Sequence, residues 1–406
     1  MSETSDLYPS SAAERAWPER LRASGVLSEA WVPFWLTLII LLAAFLRFSG
    51  LDWDRHIHHH PDERFLTDVV ANIGWPQSLG QYLDEAESPL NPRNVPTGEP
   101  PNQGQKFPLW VYGDFALTLV KGTTVLLDNI DPLPSGMSWS NYDQNYMVGR
   151  VLNGLADIGT LILLFFIAWR LYKSHWLALC AALLYSLTVL PIQHSHFWVV
   201  DNLATFFATA TIFWLVRAYD DEGLGRLSDY LLGGLFFGMA LATKVSIATL
   251  AVPFAALGAL KLWQASRQPD ADLAQVLSAL ILRLGGAAIV TILTFRFLQP
   301  YAFVGLFTPA ERWLANLREV QCQINGTCDP PFGFQWTNRT EYLFPWKNMV
   351  LWGMGLPLGL AAWAGWGIAG WELIRRQRWV HLLPVVWVLV LFLHQGGQWV
   401  MSMRYL

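Results

Sequence analysis

Nine long runs of apolar residues constrain this 406-residue chain more than any other feature. They approach the ~20 residues that a helix needs to cross ~30 Å of hydrocarbon, although several are shorter or carry Gly and Pro. Only 14% of the residues are charged, against about 25% in soluble domains. The sequence therefore predicts an all-α polytopic membrane protein. The runs are Trp31–Phe48, Tyr146–Trp169, Trp176–Ile192, Leu203–Val216, Tyr230–Ala242, Ile247–Trp263, Val276–Leu298, Met349–Leu373 and Leu382–Leu393.

Charge and cysteine content exclude several classes of protein. The net charge of −4 leaves no basic footprint for nucleic acid. Three cysteines are too few for a disulfide framework. Residues 1–30 are polar and of mixed charge, with no small-residue cleavage site after them, which is unlike a signal peptide. We interpret 1–30 as a cytoplasmic tail and 31–406 as one transmembrane domain.

Lysines and arginines near the ends of the runs predict the orientation. Basic loops stay on the cytoplasmic side of a membrane. With a cytoplasmic N-terminus and nine crossings, five basic clusters all fall on that side, so we predict a multi-pass protein of the cell membrane with this orientation. The clusters are Arg15/Arg20/Arg22, Arg170/Lys173, Arg217/Arg226, Lys261/Arg267 and Arg375/Arg376/Arg378.

The same count leaves two long extracytoplasmic loops, at about 50–145 and about 299–348. Ordered loops of this length are usually functional. The segment Phe107–Leu127 is apolar, but counting it as a crossing would place two of the basic clusters on the outer side of the membrane. Two charged residues, Asp114 and Lys121, also lie within it. We therefore predict an interfacial helix there. No internal repeat is visible, which disfavours an inverted-repeat transporter.

Acidic residues open the first loop in the stretch His56–Arg64. Asp62 and Glu63 follow the first apolar run closely, so they lie near the membrane surface. Paired acids there suit a general base for a hydroxyl or a divalent-metal site, to which His60 could add a ligand. A solvated polar turn is the alternative.

A further acid, Asp201, begins the fourth apolar run on the predicted outer side. An acid at the edge of a membrane is expensive to place and tends to be functional. It could equally cap the N-terminus of the helix that follows.

Several cations are predicted to lie on the same outer side. Lys244 lies in a tight turn between two short runs, where a buried ammonium needs an anionic partner such as a lipid phosphate. Interfacial snorkelling is the alternative for any one of these cations. The others are Lys106, Arg296, Arg339 and Arg404.

Two of the cysteines, Cys322 and Cys328, are separated by five residues in the second loop. Outside the cytoplasm they could form a small disulfide loop, or they could remain free thiols.

The order of these motifs resembles that of the GT-C glycosyltransferases, which include the protein O-mannosyltransferases, the lipid A aminoarabinose transferase and the phospholipid carrier-dependent glycosyltransferases. The likeness extends over nearly the whole chain. The motifs that carry it are His60-Pro61-Asp62-Glu63, Ser88-Pro89-Leu90-Asn91-Pro92, Lys106-Phe107-Pro108-Leu109, Gly149-Arg150-Val151-Leu152, Gln193-His194-Ser195-His196-Phe197 with Asp201, Leu241–Ser246, Leu343-Phe344-Pro345 through Gly353–Pro357, and Met403-Arg404-Tyr405-Leu406.

This resemblance implies a GT-C-like helical bundle that transfers sugar, with inversion, from a polyprenyl-phosphate donor to an extracytoplasmic glycan, lipid or protein acceptor. Asp62 would be the general base, Glu63 would orient it, and Asp201 would support the same pocket. Lys106, His196, Lys244, Arg339 and Arg404 would bind the donor and its phosphate. No cofactor is required, although a divalent metal on His60 and Glu63 stays open. Chains of this kind continue past the Arg-Tyr motif, so we expect this one to be truncated at its C-terminus.

Two other functions are compatible with the same sequence. A non-catalytic membrane protein that binds, translocates or assembles lipid-linked sugars would share the fold but not the base. A small-solute transporter is the third reading, and the long outer loops and the lack of repeats disfavour it.

Overall fold

A computed structural model describes residues 29–97, 104–134, 136–328 and 331–405. The predicted tail, residues 1–30, lies almost entirely outside them. Within the described residues fifteen α-helices account for most of the structure, with two short hairpins. The helices are α1 Val32–Phe48, α2 Pro61–Asn72, α3 Leu79–Leu83, α4 Asp114–Ile130, α5 Tyr142–Tyr172, α6 His175–Ser186, α7 Val189–Ser195, α8 Asp201–Asp220, α9 Leu227–Thr243, α10 Ala251–Ser266, α11 Leu273–Leu298, α12 Glu311–Ile324, α13 Leu343–Asn348, α14 Leu356–Arg376 and α15 Leu382–Gly396.

The strands form two antiparallel pairs, each two residues long on either side. Strands β1 (Pro96–Thr97) and β2 (Gly104–Gln105) pair in the first loop, and β3 (Phe303–Val304) and β4 (Thr308–Pro309) pair in the second. Short 3₁₀ segments at Val245–Leu250 and Met403–Tyr405 carry Lys244 and Arg404 into position.

Each of the nine apolar runs coincides with one or two helices, so the prediction of an all-α polytopic membrane protein is confirmed. By length and apolar composition, five helical segments of the described chain can cross a membrane, and a sixth can if α6 and α7, bent by 57°, act as one span. The count of nine stays a prediction. The five segments are Glu29–Phe48, Tyr142–Tyr172, Val245–Ser266, Leu273–Leu298 and Trp379–Gly396.

The long helix α5 lies at the centre of the bundle and packs on α6 and α8. Helix α9 packs on α8 and α11. Its contact with α11 depends on Gly234, since a Cβ there would lie 2.3 Å from the carbonyl oxygen of Ala287. Small residues allow this close approach of helices where no water drives association.

Basic residues gather at one end of the bundle. Asp220 accepts from Arg170 at 3.3 Å and from Lys173 at 2.5 Å. Lys261 donates to the carbonyls of Tyr219, Asp221 and Gly223. The second, third and fourth basic clusters thus share an end, as predicted, while the side of the membrane they face stays a prediction.

A sealed ion pair lies inside the bundle. Arg47, at the end of α1, donates to Asp157 of α5, and their side chains are 0% and 2% exposed. Tyr185 also donates to Asp157, and Arg47 donates to the carbonyl of Ser186 at 3.0 Å. These contacts tie α1, α5 and α6 together.

The segment predicted to be an interfacial helix forms α4, which begins at Asp114. It packs on α2, α5 and α9 and does not qualify as a membrane span. Lys121, within it, is buried and donates to the carbonyl of Val70 at 3.1 Å. Burial lowers the pKa of Lys121 to about 8.

Candidate functional site

A cavity of about 440 Å³ lies at the end of the bundle opposite the basic clusters. Residues far apart in the chain meet there, because the two long loops pack against the helix ends. Asp62, Asp201, Lys244 and Arg404 all line it. The sequence predicted that the acids and Lys244 would converge on one face, and the structure places them around one space.

Asp62 enters the cavity from the N-terminus of α2. The helix starts there because His60 caps it: the His60 side chain accepts a hydrogen bond from the backbone N–H of Asp62 at 3.2 Å, and Pro61 occupies the first helical position. Burial lowers the pKa of His60; Asp62 opposes this effect and Arg404 adds to it. A neutral imidazole is the form that can accept this bond.

Two ion pairs face the cavity. Arg404 donates to Asp62, and Lys244 donates to Asp201 at 2.7 Å. The four side chains are between 9% and 22% exposed, so they are accessible from the cavity. Each pair sets a cation of one element beside an acid of another, and the two pairs together place two carboxylates and two cations around the same space.

Close backbone contact holds the first loop against the turn that carries Lys244. The N–H of Gly113 donates to the carbonyl of Thr243 at 3.1 Å. A Cβ at position 113 would lie 1.9 Å from the carbonyl oxygen of Ala242. Only glycine permits this approach, which brings Val111 and Tyr112 to the cavity wall.

Glu63 lies behind Asp62 and away from the cavity lining. Arg150 donates to both of its carboxylate oxygens at 2.7 Å, and the backbone N–H of Trp198 donates to one of them at 2.8 Å. Arg150 also donates to Asp54 at 2.9 Å. Burial would raise the pKa of Asp54, but the hydrogen bond and charge of Arg150 hold it below its usual value.

These contacts fix the relative positions of the two acids of the cavity. Glu63 is adjacent to Asp62, and Trp198 is three residues before Asp201. The carboxylate of Glu63 therefore links the start of α2 to the segment that leads into α8, while its role in orienting Asp62 stays a prediction. It could ligate a metal only by giving up Arg150, and His60 already uses one nitrogen as a cap. Within the described parts of the chain, no group of three His, Cys, Asp or Glu side chains is arranged to hold a metal.

Helix α12 forms the opposite wall. Trp313, Leu317, Val320 and Ile324 line the cavity and recur at helical spacing. These four residues make this side largely apolar, with Asn316 and Gln321 as polar residues of the same helix, whereas the ion pairs make the other side charged.

Asn316 anchors this wall to the first loop. Its side-chain oxygen accepts from Arg93 at 2.8 Å and from the backbone N–H of Trp110 at 3.1 Å. The indole of Trp110 donates to Asp114 at 2.9 Å. Burial raises the pKa of Asp114 to about 6, although Arg93 and this hydrogen bond act against the rise.

A disulfide between Cys322 and Cys328 closes a small loop at the end of α12. The sequence left open a disulfide or two free thiols, and the structure has the disulfide. Ile324 and Asn325 lie inside the closed loop and line the cavity. The carbonyl of Ile324 accepts from the N–H of Val400 at 3.3 Å, which connects the wall to the segment carrying Arg404.

Three residues that the resemblance placed at the donor site are not part of the cavity lining. Lys106 pairs with Asp68 at 2.9 Å. Arg339 lies 4.9 Å above the ring of Phe344. His196 contacts the carbonyls of Ile192 and Ser49. Their roles in donor binding stay predictions.

Sequence reasoning missed other residues of the site. His394, Gln395 and Gln398 bring the end of α15 to the cavity. Arg150 donates to both Glu63 and Asp54 and so holds the two carboxylates together, and the sequence indicated Arg150 only as part of the motif Gly149–Leu152. In the sequence, the polar pair His394 and Gln395 directly follows the apolar run Leu382–Leu393, and this could have indicated that the end of α15 belongs to the site.

A smaller cavity of about 160 Å³ adjoins the charged group. It shares Asp201, Lys244 and Arg404 with the larger one and extends along α8 and α15. Its remaining lining is mostly small or apolar: Ala204, Thr205, Ala208, Thr209, Ile247, Trp387 and Leu391.

Comparison with known proteins agrees with this architecture. Residues 129–300 match the family described as dolichyl-phosphate-mannose-protein mannosyltransferase. That match includes Asp201 and Lys244 and excludes Asp62 and Arg404. No curated protein matches the chain by sequence.

Solved structures of archaeal oligosaccharyltransferases share the fold. AglB from Archaeoglobus fulgidus, in complex with an inhibitory peptide and a dolichol-phosphate, matches with a TM-score of 0.56 and 14% identity, over 92% of this chain and 48% of that one. The apo oligosaccharyltransferase of the same organism matches with a TM-score of 0.51 and 13% identity, over 93% and 49%.

The S. cerevisiae Pmt1–Pmt2 protein O-mannosyltransferase bound to the sugar donor is also similar, with a TM-score of 0.47 and 17% identity, over 69% of this chain and 35% of that one. The chain thus spans about half the length of the archaeal enzymes. The resemblance to the GT-C glycosyltransferases that the motifs indicated is confirmed, and the archaeal structures establish it at the level of the fold.

Proposed function

We propose that the chain is a membrane glycosyltransferase that moves a sugar from a polyprenyl-phosphate donor to an acceptor hydroxyl on the extracytoplasmic side. The observation that carries this proposal is the meeting of Asp62, Asp201, Lys244 and Arg404 around one cavity. The family match over residues 129–300 and the shared fold support it.

The donor phosphate would lie between Lys244 and Arg404. Both cations border the larger and the smaller cavity. A phosphate at their junction would place the sugar in the larger cavity, facing Asp62, and the first isoprenoid units in the smaller one. The small and apolar side chains of α8 and α15 suit a hydrocarbon chain.

The proposed transfer is an inverting displacement. The acceptor oxygen forms a bond to the anomeric carbon while the bond from that carbon to the phosphate oxygen breaks. The electron pair of that bond leaves on the polyprenyl phosphate, and the hydroxyl proton passes to the carboxylate of Asp62. Lys244 and Arg404 stabilise the charge that develops on the leaving phosphate.

Donor binding would also prepare the base. In this structure Arg404 donates to Asp62. A phosphate that attracts Arg404 competes for that guanidinium and makes the carboxylate more available to the acceptor. Asp201 would support the same pocket by holding Lys244 beside the phosphate, and the ion pair between these two side chains supports that role.

The acceptor would approach along α12, a wall that the second outer loop provides. The acceptor is an extracytoplasmic glycan, lipid or protein. No step is assigned to a metal, since Glu63 is held by Arg150. Loss of transfer on chelation, restored by a divalent ion, would call for ligands other than His60 and Glu63.

Substitution of the base tests the proposal. Asp62→Asn in purified protein, reconstituted in liposomes with polyprenyl-phosphate sugar, should lower transfer by about 10²–10⁴-fold. Asp270→Asn, an exposed position, is the matched control and should leave transfer unchanged. Transfer by Asp62→Asn at the control rate would refute the assignment.

The same assay separates the runner-up function. A non-catalytic protein that binds, translocates or assembles lipid-linked sugars would bind the donor without consuming it. It would also be indifferent to Asp62→Asn. Donor binding with no turnover in the unsubstituted chain, under conditions with varied acceptors, would favour that function.

A further inference from the structure

The hairpin of β3 and β4 presents an unusual tip at the cavity end of the bundle. Its four residues, Val304 to Phe307, are all apolar or glycine. Val304, Leu306 and Phe307 are 55%, 74% and 45% exposed. An exposed apolar group of this kind marks a surface for a partner or a membrane.

The tip continues the apolar face of α11. Leu293 and Phe297, near the end of that helix, are 53% and 51% exposed. Helix α11 is one of the segments able to cross a membrane, and most of it is unburied within the chain. The hairpin begins only five residues after α11 ends, so the two apolar surfaces are neighbours.

Arg296 satisfies the backbone of the tip. Its guanidinium donates to the carbonyls of Leu306 at 2.5 Å and Gly305 at 2.6 Å, and it lies 5.2 Å from the centroid of the Phe303 ring. A turn that enters the edge of a bilayer must have its polar backbone groups satisfied from within. This explains a cation on the predicted outer side that the donor site does not use.

We propose that the tip, residues 304–307, inserts into the outer boundary of the lipid bilayer and anchors the second loop there. Strand β4 leads directly into α12, so this anchor holds the cavity wall at the level of the lipid headgroups. The occupant is the membrane itself, as continuity with the lipid-facing side of α11 indicates.

Spin labelling in membranes tests this placement. Cys180 is the free cysteine of the described chain, so Cys180→Ser gives a background for Leu306→Cys with a nitroxide label. In vesicles of phosphatidylcholine and phosphatidylglycerol, the label should be relaxed more by oxygen than by a water-soluble nickel chelate. Leu293→Cys is the lipid-facing reference, and Glu319→Cys, on the exposed side of α12, is the aqueous one.

Two results would overturn the proposal. A label at 306 that behaves like the one at 319 would place the tip in water. Strong dipolar broadening with poor access to oxygen would indicate a second copy of the chain as the partner. Val304→Cys provides a second probe if Leu306→Cys does not fold, and the test is independent of catalysis.

Discussion

Two sets of ion pairs in this protein use the same chemistry in different surroundings. Arg47 and Asp157 are sealed within the bundle, with side chains 0% and 2% exposed. The pairs Asp62–Arg404 and Asp201–Lys244 border a cavity and are 9% to 22% exposed. The sealed pair can serve only the fold, because no ligand reaches it, whereas the open pairs can exchange partners with a ligand.

The largest expected effect comes from breaking the sealed pair. Asp157→Asn leaves Arg47 buried without a counter-charge, which should lower the free energy of unfolding by about 3–5 kcal/mol. The measurement is thermal unfolding in detergent micelles followed by circular dichroism. The specific activity of the remaining folded protein should be unchanged.

A double substitution sharpens this result. Replacing both partners, Arg47→Met with Asp157→Leu, removes the uncompensated charge and should recover most of the lost stability. Asp157→Asn protein that stays fully stable but loses transfer would contradict the division between a sealed structural pair and open functional pairs.

At the open pairs we expect a smaller effect, and one that lowers the rate of transfer rather than the stability of the fold. Lys244→Gln or Arg404→Gln should lower transfer by about 10²–10³-fold, the usual loss on removing one group that stabilises transition-state charge. Unfolding temperatures should change little, because both side chains are partly exposed. The measurement is initial rate against donor concentration in liposomes.

Cations outside the cavity are the matched controls for that prediction. Arg318→Gln and Lys347→Gln each remove an exposed charge from the second of the predicted outer loops without touching the cavity lining. They should leave the rate within a few-fold of the unsubstituted protein. Equal losses at all four positions would mean that general positive charge, rather than the two cavity cations, binds the donor.

The smallest expected effect concerns the cap of α2. Burial holds the pKa of His60 below its usual value, so the neutral cap stabilises the fold above about pH 6.5 and is lost as the pH falls through the lowered pKa. The loss should be about 1 kcal/mol. Thermal unfolding between about pH 7.5 and about pH 5.5 measures it.

An asparagine tests that assignment, since it caps a helix without titrating in this range. His60→Asn should retain stability near neutral pH and lose part of the acid dependence, whereas His60→Ala should be less stable throughout. An unchanged acid dependence in His60→Asn would mean that other groups cause it.

The sequence could predict the helices and the convergence of Asp62, Asp201 and Lys244, because both follow from where the chain crosses the membrane. The number of crossings that precede a residue decides on which side of the membrane it lies. Few acidic residues lie at helix ends on the predicted outer side, so these two acids stand out. Arg404 could be placed in the same way, since a short polar segment follows the last apolar run.

The number of crossings could not predict which cation pairs with which acid. Lys106 lies on the expected face, yet it pairs with Asp68, farther along α2 than Asp62. Glu63 and Asp62 are adjacent but point to different partners, because successive helical residues face about 100° apart. The count of spans is limited in another way: short helices such as α9 fall below the length that composition alone can assign to a crossing.

The disulfide at the end of α12 bears on when the site matures. Such bonds persist in oxidising compartments and are rare in the cytosol, which agrees with the predicted outer position of the second loop. On that placement, the wall containing Ile324 and Asn325 takes its final form only after the loop has been translocated. We expect a newly made chain to remain inert until then, so that lipid-linked sugar on the inner leaflet is not consumed during biosynthesis.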